Sequence, residues 1–286
     1  GFECDSIDDT SVNETSNKRL VSIEAPYVLK INRGFKEDFG SAPSSVSLDN
    51  LESKASDKFG ANIAMQGDYL AVGLPNNDSH LQGVHSPLAN QFGSHQVPSS
   101  GAVYLYKYID GEYQQLAFIK SSNSEADDRF GHSLSLDNNI LTVSAIDEDS
   151  SGEGVYPYID EDSDGINDNI FIENNNLAPN SGAIYVFTIP EECSLLQCNE
   201  SILQTAYIKS PSNQPAIDGF DNDFGETVLF KDNALFITAP KNDNISATDE
   251  TLNYPNSGAV HTYQYDPTSE EMWTYFNKVQ APEIDP

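Results

Sequence analysis

Positive charge is scarce in this chain. Its 286 residues hold 14 Lys and Arg against 45 Asp and Glu, for a formal net charge of -31. A surface that negative repels nucleic acid and anionic lipid and attracts cations, so it argues against a nucleic-acid or membrane-surface role. Calcium, basic patches on other proteins or a salty medium are its natural counterparts. Long apolar runs are missing as well, so no direct membrane insertion is expected. No signal peptide opens the sequence, and a secreted protein would therefore be present in mature or trimmed form. Cysteine is sparse, with three in all. Cys193 and Cys198 lie close together in "ECSLLQCNE", a spacing that suits a small disulfide loop in an oxidising compartment. The stretch has no His to support a zinc site, and Cys4 is left over as a free or intermolecular thiol. Enzyme signatures are absent too: there is no nucleophile elbow, zinc-hydrolase helix or phosphate-cradling glycine loop. Carboxylate pairs in so acidic a chain carry no information about glycoside hydrolysis. The expectation is a protein that is not an enzyme.

What the sequence does have is a repeat. "DKFGANIAMQGDYLAVGLP" (Asp57 to Pro75), "DRFGHSLSLDNNILTVSAI" (Asp128 to Ile146) and "DFGETVLFKDNALFITAP" (Asp223 to Pro240) each read acid, Phe-Gly, an alternating run, a tight turn and a second apolar run. That pattern predicts two antiparallel strands. After a polar loop come "SGAVYLYKY", "SGAIYVFTI" and "SGAVHTYQY", third strands rich in β-branched and aromatic residues. "YQQLAFIKSS", "LQTAYIKSP" and "WTYFNKVQAP" supply a fourth. Each repeat thus predicts four strands and no helix, and tandem four-stranded units predict an all-β protein of the β-propeller type. Phe59, Phe130 and Phe224 should pack between blades rather than bind ligand, and the glycine after each should let backbones pass closely.

These residues resemble the FG-GAP repeats of integrin α-subunit propellers, and more closely those of secreted or surface-exposed bacterial FG-GAP proteins. The resemblance covers about Leu51 to Pro282 and implies four-stranded antiparallel blades. Three clear repeats, about 51–123, 124–213 and 214–286, are fewer than the closed ring of that family holds, so an incomplete or open ring is expected. Residues 1–50 read as an acidic leader with strands or a partial blade, "DFGSAPSSVSLDN" echoing Phe-Gly at Phe39. Residues 51–286 read as the propeller segment.

Chemistry is expected in the loops between second and third strands, long excursions from a rigid scaffold. The longest, Asp147 to Asn180, is expected to be dispensable for the fold. It contains "DEDSDGINDN", where Asp160, Asp162 and Asp164 alternate, Gly165 turns the chain, and the Ile166 carbonyl and Asp168 follow. This matches the first nine positions of a calcium loop. Phe171 stands where an EF-hand needs a bidentate Glu. A solvated acidic loop is the alternative, but three alternating Asp and a Gly are more ordered than composition requires, which favours calcium as the cofactor. His80, His85 and His95 share the first loop with Asp78 and match no ligand spacing; they read as surface histidines, and His132 and His261 as structural. Sequons stand at Asn13, Asn77, Asn199 and Asn244.

The resulting expectation is an extracellular or cell-surface binding or adhesion module that recognises a protein or glycan through its long loops, stiffened by calcium. Self-assembly of copies into a surface structure or spacer is the second reading. The non-catalytic part of a secreted hydrolase is the third.

Overall fold

The computed structural model describes residues 56–87, 96–158, 175–191, 198–211, 223–245, 253–254, 256–269 and 271–281. The chain divides into two compact units, Gly1–Asp49 and Asn50–Pro286. The first lies outside the described residues, as do Cys4, Asn13 and Phe39.

The described chain is all-β apart from one helical turn, α1 (Cys198–Ser201), and its three main sheets are antiparallel. Sheet I holds β1 (Ile63–Gln66), β2 (Tyr69–Leu74), β3 (Val84–His85), β4 (Ala102–Ile109) and β5 (Glu112–Ile119), in the order β1-β2-β4-β5-β3. Sheet II repeats it with β6 (Phe130–Asp137), β7 (Ile140–Ala145), β8 (Val155–Pro157), β9 (Ala183–Thr188) and β10 (Leu203–Ile208), in the order β6-β7-β9-β10-β8. Sheet III, β11 (Val228–Lys231), β12 (Ala234–Ala239), β15 (Ala259–Tyr265) and β16 (Trp273–Gln280), keeps four strands, while β13 (Asn244–Ile245) and β14 (Asn253–Tyr254) pair separately.

The expectation of four strands and no helix therefore needs correction. Sheets I and II have a fifth strand, formed where the chain leaving β2 or β7 lies along the far edge of β5 or β10. Its physical role is plain: an uncovered edge exposes unpaired N–H and C=O groups, and the outgoing loop covers it. The α1 turn lies between β9 and β10, with Cys198 and the following Ile202 buried in the core.

Local chemistry explains the hairpins. Asn138–Asn139 and Asp232–Asn233 all have positive φ, the conformation a two-residue hairpin turn requires and one that Asn and Asp tolerate. A bulge recurs at one position in the fourth strand of every sheet, leaving Leu116, Thr205 and Phe276 unopposed.

The sheets pack face to face through two apolar cores. One joins sheets I and II, with Ala71, Val103, Leu105 and Ile119 against Phe130, Leu134, Leu141 and Tyr185. The other joins II and III, with Ile140, Ile184, Val186 and Ile208 against Phe224, Val228, Phe230 and Tyr263. Phe130 and Phe224 are fully buried there, which agrees with a packing role. Of the Phe-Gly glycines only Gly131 has backbone passing closely, since a Cβ on Gly60 would meet nothing within 4 Å, and the close passage extends to the glycine of Ser-Gly-Ala. A Cβ on Gly131 would sit 2.5 Å from the Ala102 carbonyl oxygen, and one on Gly182 would sit 2.0 Å from that of Phe224.

Candidate functional site: the necks of the long loops

Each loop that leaves a second strand and returns to a third passes through a neck built from the same residues. In sheet I the Gly101 N–H donates to the Asn77 carbonyl at 3.0 Å, and the Ser99 N–H to the Asp78 carboxylate at 3.0 Å. In sheet II Gly182 donates to Glu148 at 2.9 Å and Asn180 to the Asp149 carboxylate at 2.7 Å. In sheet III Gly258 donates to Asn242 at 3.0 Å and Asn256 to the Asp243 carboxylate at 2.7 Å. The Asp after the second strand and the Ser-Gly before the third thus clamp the two limbs of every loop. Ser100 and Ser181 tighten the clamp: each hydroxyl reaches two carbonyls of the outgoing limb, those of Asn77 and Ser79 or of Glu148 and Ser150.

Under the serines lies a buried lysine. Lys120 donates to the Ser100 hydroxyl at 2.6 Å and to the Gly101 carbonyl at 2.5 Å. Lys209 donates to the Ser181 hydroxyl at 2.7 Å and to the Glu148 carboxylate at 2.5 Å. Neither lysine is solvent-exposed. Glu148 is further held by the Asn123 amide at 3.1 Å and the Ser150 N–H at 3.1 Å, so its carboxylate is almost fully satisfied without water. The Asn123 carbonyl accepts from the Tyr185 hydroxyl, and the Ser150 and Tyr207 hydroxyls share a hydrogen bond of 2.6 Å.

Burial dominates the electrostatics. It pushes the Lys120 ammonium down to about 7, although the charges of Asp128, Asp78 and Asp57 favour the cation. It lowers Lys209 as well, against the attraction of Glu148. Asp128 is pushed up to about 8 by burial, opposed by the Glu125 N–H it accepts and reinforced by the charges of Glu148, Glu125 and Asp149. At the rim an ion pair changes sign between repeats. Arg129 meets Asp147 at 2.9 Å in sheet II, and in sheet III the equivalent positions are Asp223 and Lys241, 3.2 Å apart.

The sequence-derived candidates fall as follows. Asp160, Asp162, Asp164, Ile166 and Asp168 lie outside the described residues. The limbs that carry them are described and anchored: Tyr158 donates its N–H to the Thr205 carbonyl at 3.1 Å, and the Asn175 side-chain oxygen accepts from the Ser151 N–H at 2.7 Å. His95 and Cys193 also lie outside. His85 binds the Gln82 carbonyl at 2.7 Å, and among the described residues no three His, Cys, Asp or Glu side chains gather as a metal site. His132 lies on β6 and pairs with Glu226 at 3.4 Å. His261 is buried against Phe224, their ring centroids 5.5 Å apart. Asn77 is fully buried and its amide donates to Asp57 at 3.0 Å, so in the folded chain that sequon is closed to a glycan. Asn244 lies on β13 and Asn199 in α1.

The neck is not among the features expected from the sequence. Its signals were a lysine recurring inside the apolar runs "FIKSS" and "YIKSP", and a Gly-Val-aromatic echo at Gly83–His85 and Gly154–Tyr156 that marks the fifth strands. The neck also corrects the expectation that Asp147 to Asn180 is dispensable, because Glu148, Ser150 and Ala178 belong to the buried framework. Among the described residues no helix is long and apolar enough to cross a membrane. No protein-family model and no curated protein matches the chain.

Proposed function

We propose that this chain is a propeller segment of the FG-GAP type, residues 51–286 behind a separate leader of residues 1–50, and that it acts outside the cell or at its surface as a binding or adhesion module. Its long loops meet a protein or glycan partner, and a calcium ion held by Asp160, Asp162, Asp164, the Ile166 carbonyl and Asp168 orders the largest. It is not an enzyme in this reading.

The observation that carries the proposal is the thrice-repeated neck. A clamp that fixes both limbs of a loop, backed by a buried serine and lysine in sheets I and II, while the loop between them varies in length and sequence, suits a scaffold that displays recognition segments. The net charge of -31 supports a cation partner. Cys198 as a half-cystine supports an oxidising compartment, with Cys193 as the partner closest in sequence.

The test is a thermal melt with calcium and with chelator. Calcium at a hundredfold excess over its dissociation constant should add about 2.7 kcal/mol. Magnesium should substitute poorly because it requires tighter octahedral geometry. Asp162→Ala or Asp164→Ala should remove most of the gain, whereas Asp249→Ala, in another loop, should leave it. Melts indifferent to calcium would reduce the stretch to a solvated acidic loop.

A further inference from the structure

The repeat shows what normally covers each sheet face, and two such faces stand open. At the junction of sheets I and II, Leu134 and Leu136 of the first strand are buried, and Val228 and Phe230 take their places at the junction of II and III. Strand register makes Ile63 and Met65 their equivalents in sheet I: Ile63 pairs with Val72 as Leu134 does with Val143 and Val228 with Ile237. Ile63 and Met65 are each 51% exposed. At the other end, the face of sheet II that receives sheet III carries Ser135, Thr142 and Ile208, all buried. Leu229, Phe236 and Val279 hold those positions in sheet III and are 53%, 39% and 55% exposed.

Leu229 and Phe236 thus stand on the open face of sheet III where the covered face of sheet II carries Ser135 and Thr142, and they leave large apolar side chains facing water.

A polar row points to the occupant. Gln66, Asp137 and Lys231 end the first strands of the three sheets. The Gln66 amide donates to Asp137 at 2.9 Å, and Lys231 donates to the same carboxylate oxygen at 2.8 Å. The row ends in an ammonium with donors to spare. It begins in an amide whose oxygen has a second lone pair beyond the Asn139 N–H it accepts. Placed after Lys231, a second Gln66 would continue the row.

We propose that the open face of sheet III docks the Ile63 and Met65 face of sheet I of a second copy of this chain, head to tail, repeating the junctions already inside it. Such a contact is heterologous, with different surfaces on the two copies, so it propagates unless the rotation closes a ring. The loop necks take no part, and failure of this proposal would leave the reading of the loops standing.

The test is light scattering of the full chain over a range of concentrations, beside two variants altered only at exposed positions, Ile63→Lys with Met65→Lys and Leu229→Lys with Phe236→Lys. The unmodified chain should gain mass with concentration beyond the monomer. Each variant alone should stay monomeric with unchanged circular dichroism. Mixed, they should form a one-to-one dimer and nothing larger, because each retains the face the other needs. A monomeric unmodified chain at every concentration would overturn the proposal. So would association that survives in the Ile63 and Met65 variant, which would show a back-to-back contact instead.

Discussion

Replacing Glu148 by Leu removes the carboxylate that faces Lys209 at 2.5 Å inside the neck of sheet II. Lys209 has no exposure and Glu148 is 1% exposed, so water cannot take the missing partner's place. Breaking a buried pair on one side costs about 3–5 kcal/mol, because a charge is left without compensation. Glu148→Leu should therefore lose about that much, and Lys209→Met a similar amount as the carboxylate loses its cation. With both replaced no charge is left behind. What remains is the lost partnership of Asn123, the Ser150 N–H and the Ser181 hydroxyl, about 1 kcal/mol each. The double variant should then fall by about 3 kcal/mol rather than by the sum of the singles. Urea denaturation at neutral pH, with an unchanged dependence on denaturant, reads this cycle directly. Additive single effects, or a loss under about 1 kcal/mol for Glu148→Leu, would refute the claim that the neck is held by a desolvated ion pair. Sheet I provides a contrast: Lys120 donates to neutral oxygens there, so Lys120→Met should cost less than Lys209→Met.

The other expected outcomes concern glycine and histidine. Gly182 and Gly67 both have positive φ, but only Gly182 has backbone at 2.0 Å from where a Cβ would lie, while Gly67 has nothing within 4 Å. Gly67→Ala should cost only the left-handed penalty of about 1–2 kcal/mol, whereas Gly182→Ala should cost clearly more by separating sheets II and III, as equilibrium unfolding of the two variants will show. His261 is held neutral by burial, its imidazole pushed down to about 4, with the Lys278 charge acting in the same direction. Because the unfolded imidazole binds its proton more readily, stability should begin to fall as pH drops below about 6.5, with the full loss of about 3 kcal/mol present below about 4. His261→Phe should flatten that limb of the stability–pH curve, and an unchanged limb would assign the loss elsewhere.

The alternation of apolar residues in "AVYLYKY" and "AIYVFTI" made the strands legible, and "LDNN" and "FKDN" made the turns legible, because period and turn chemistry are local properties. The fifth strands were not legible. Val84–His85 and Val155–Pro157 are too short for alternation to register, and they become strands only because an edge awaits cover. Lys120 and Lys209 are not legible for the opposite reason. A lysine at the end of a strand ordinarily reads as solvated, and only the sheet stack shows Ser100 or Glu148 waiting above it. The ion pair that reverses from Arg129–Asp147 to Asp223–Lys241 is visible in the sequence only after the repeats are aligned, since its members stand at fixed offsets around each Phe-Gly.

In the proposed function the neck belongs to the fold and the segment beyond it to recognition. Calcium titration calorimetry of the intact chain beside a chain with residues 159–174 replaced by a short Gly-Ser bridge tests this most directly. The bridged chain keeps Glu148, Ser150, Asn175 and Ser181. Calcium heat is expected from the intact chain and none from the bridged one, with the same chelator-treated melting temperature for both. Equal calcium heat from the two chains, or a bridged chain that no longer melts cooperatively, would contradict it.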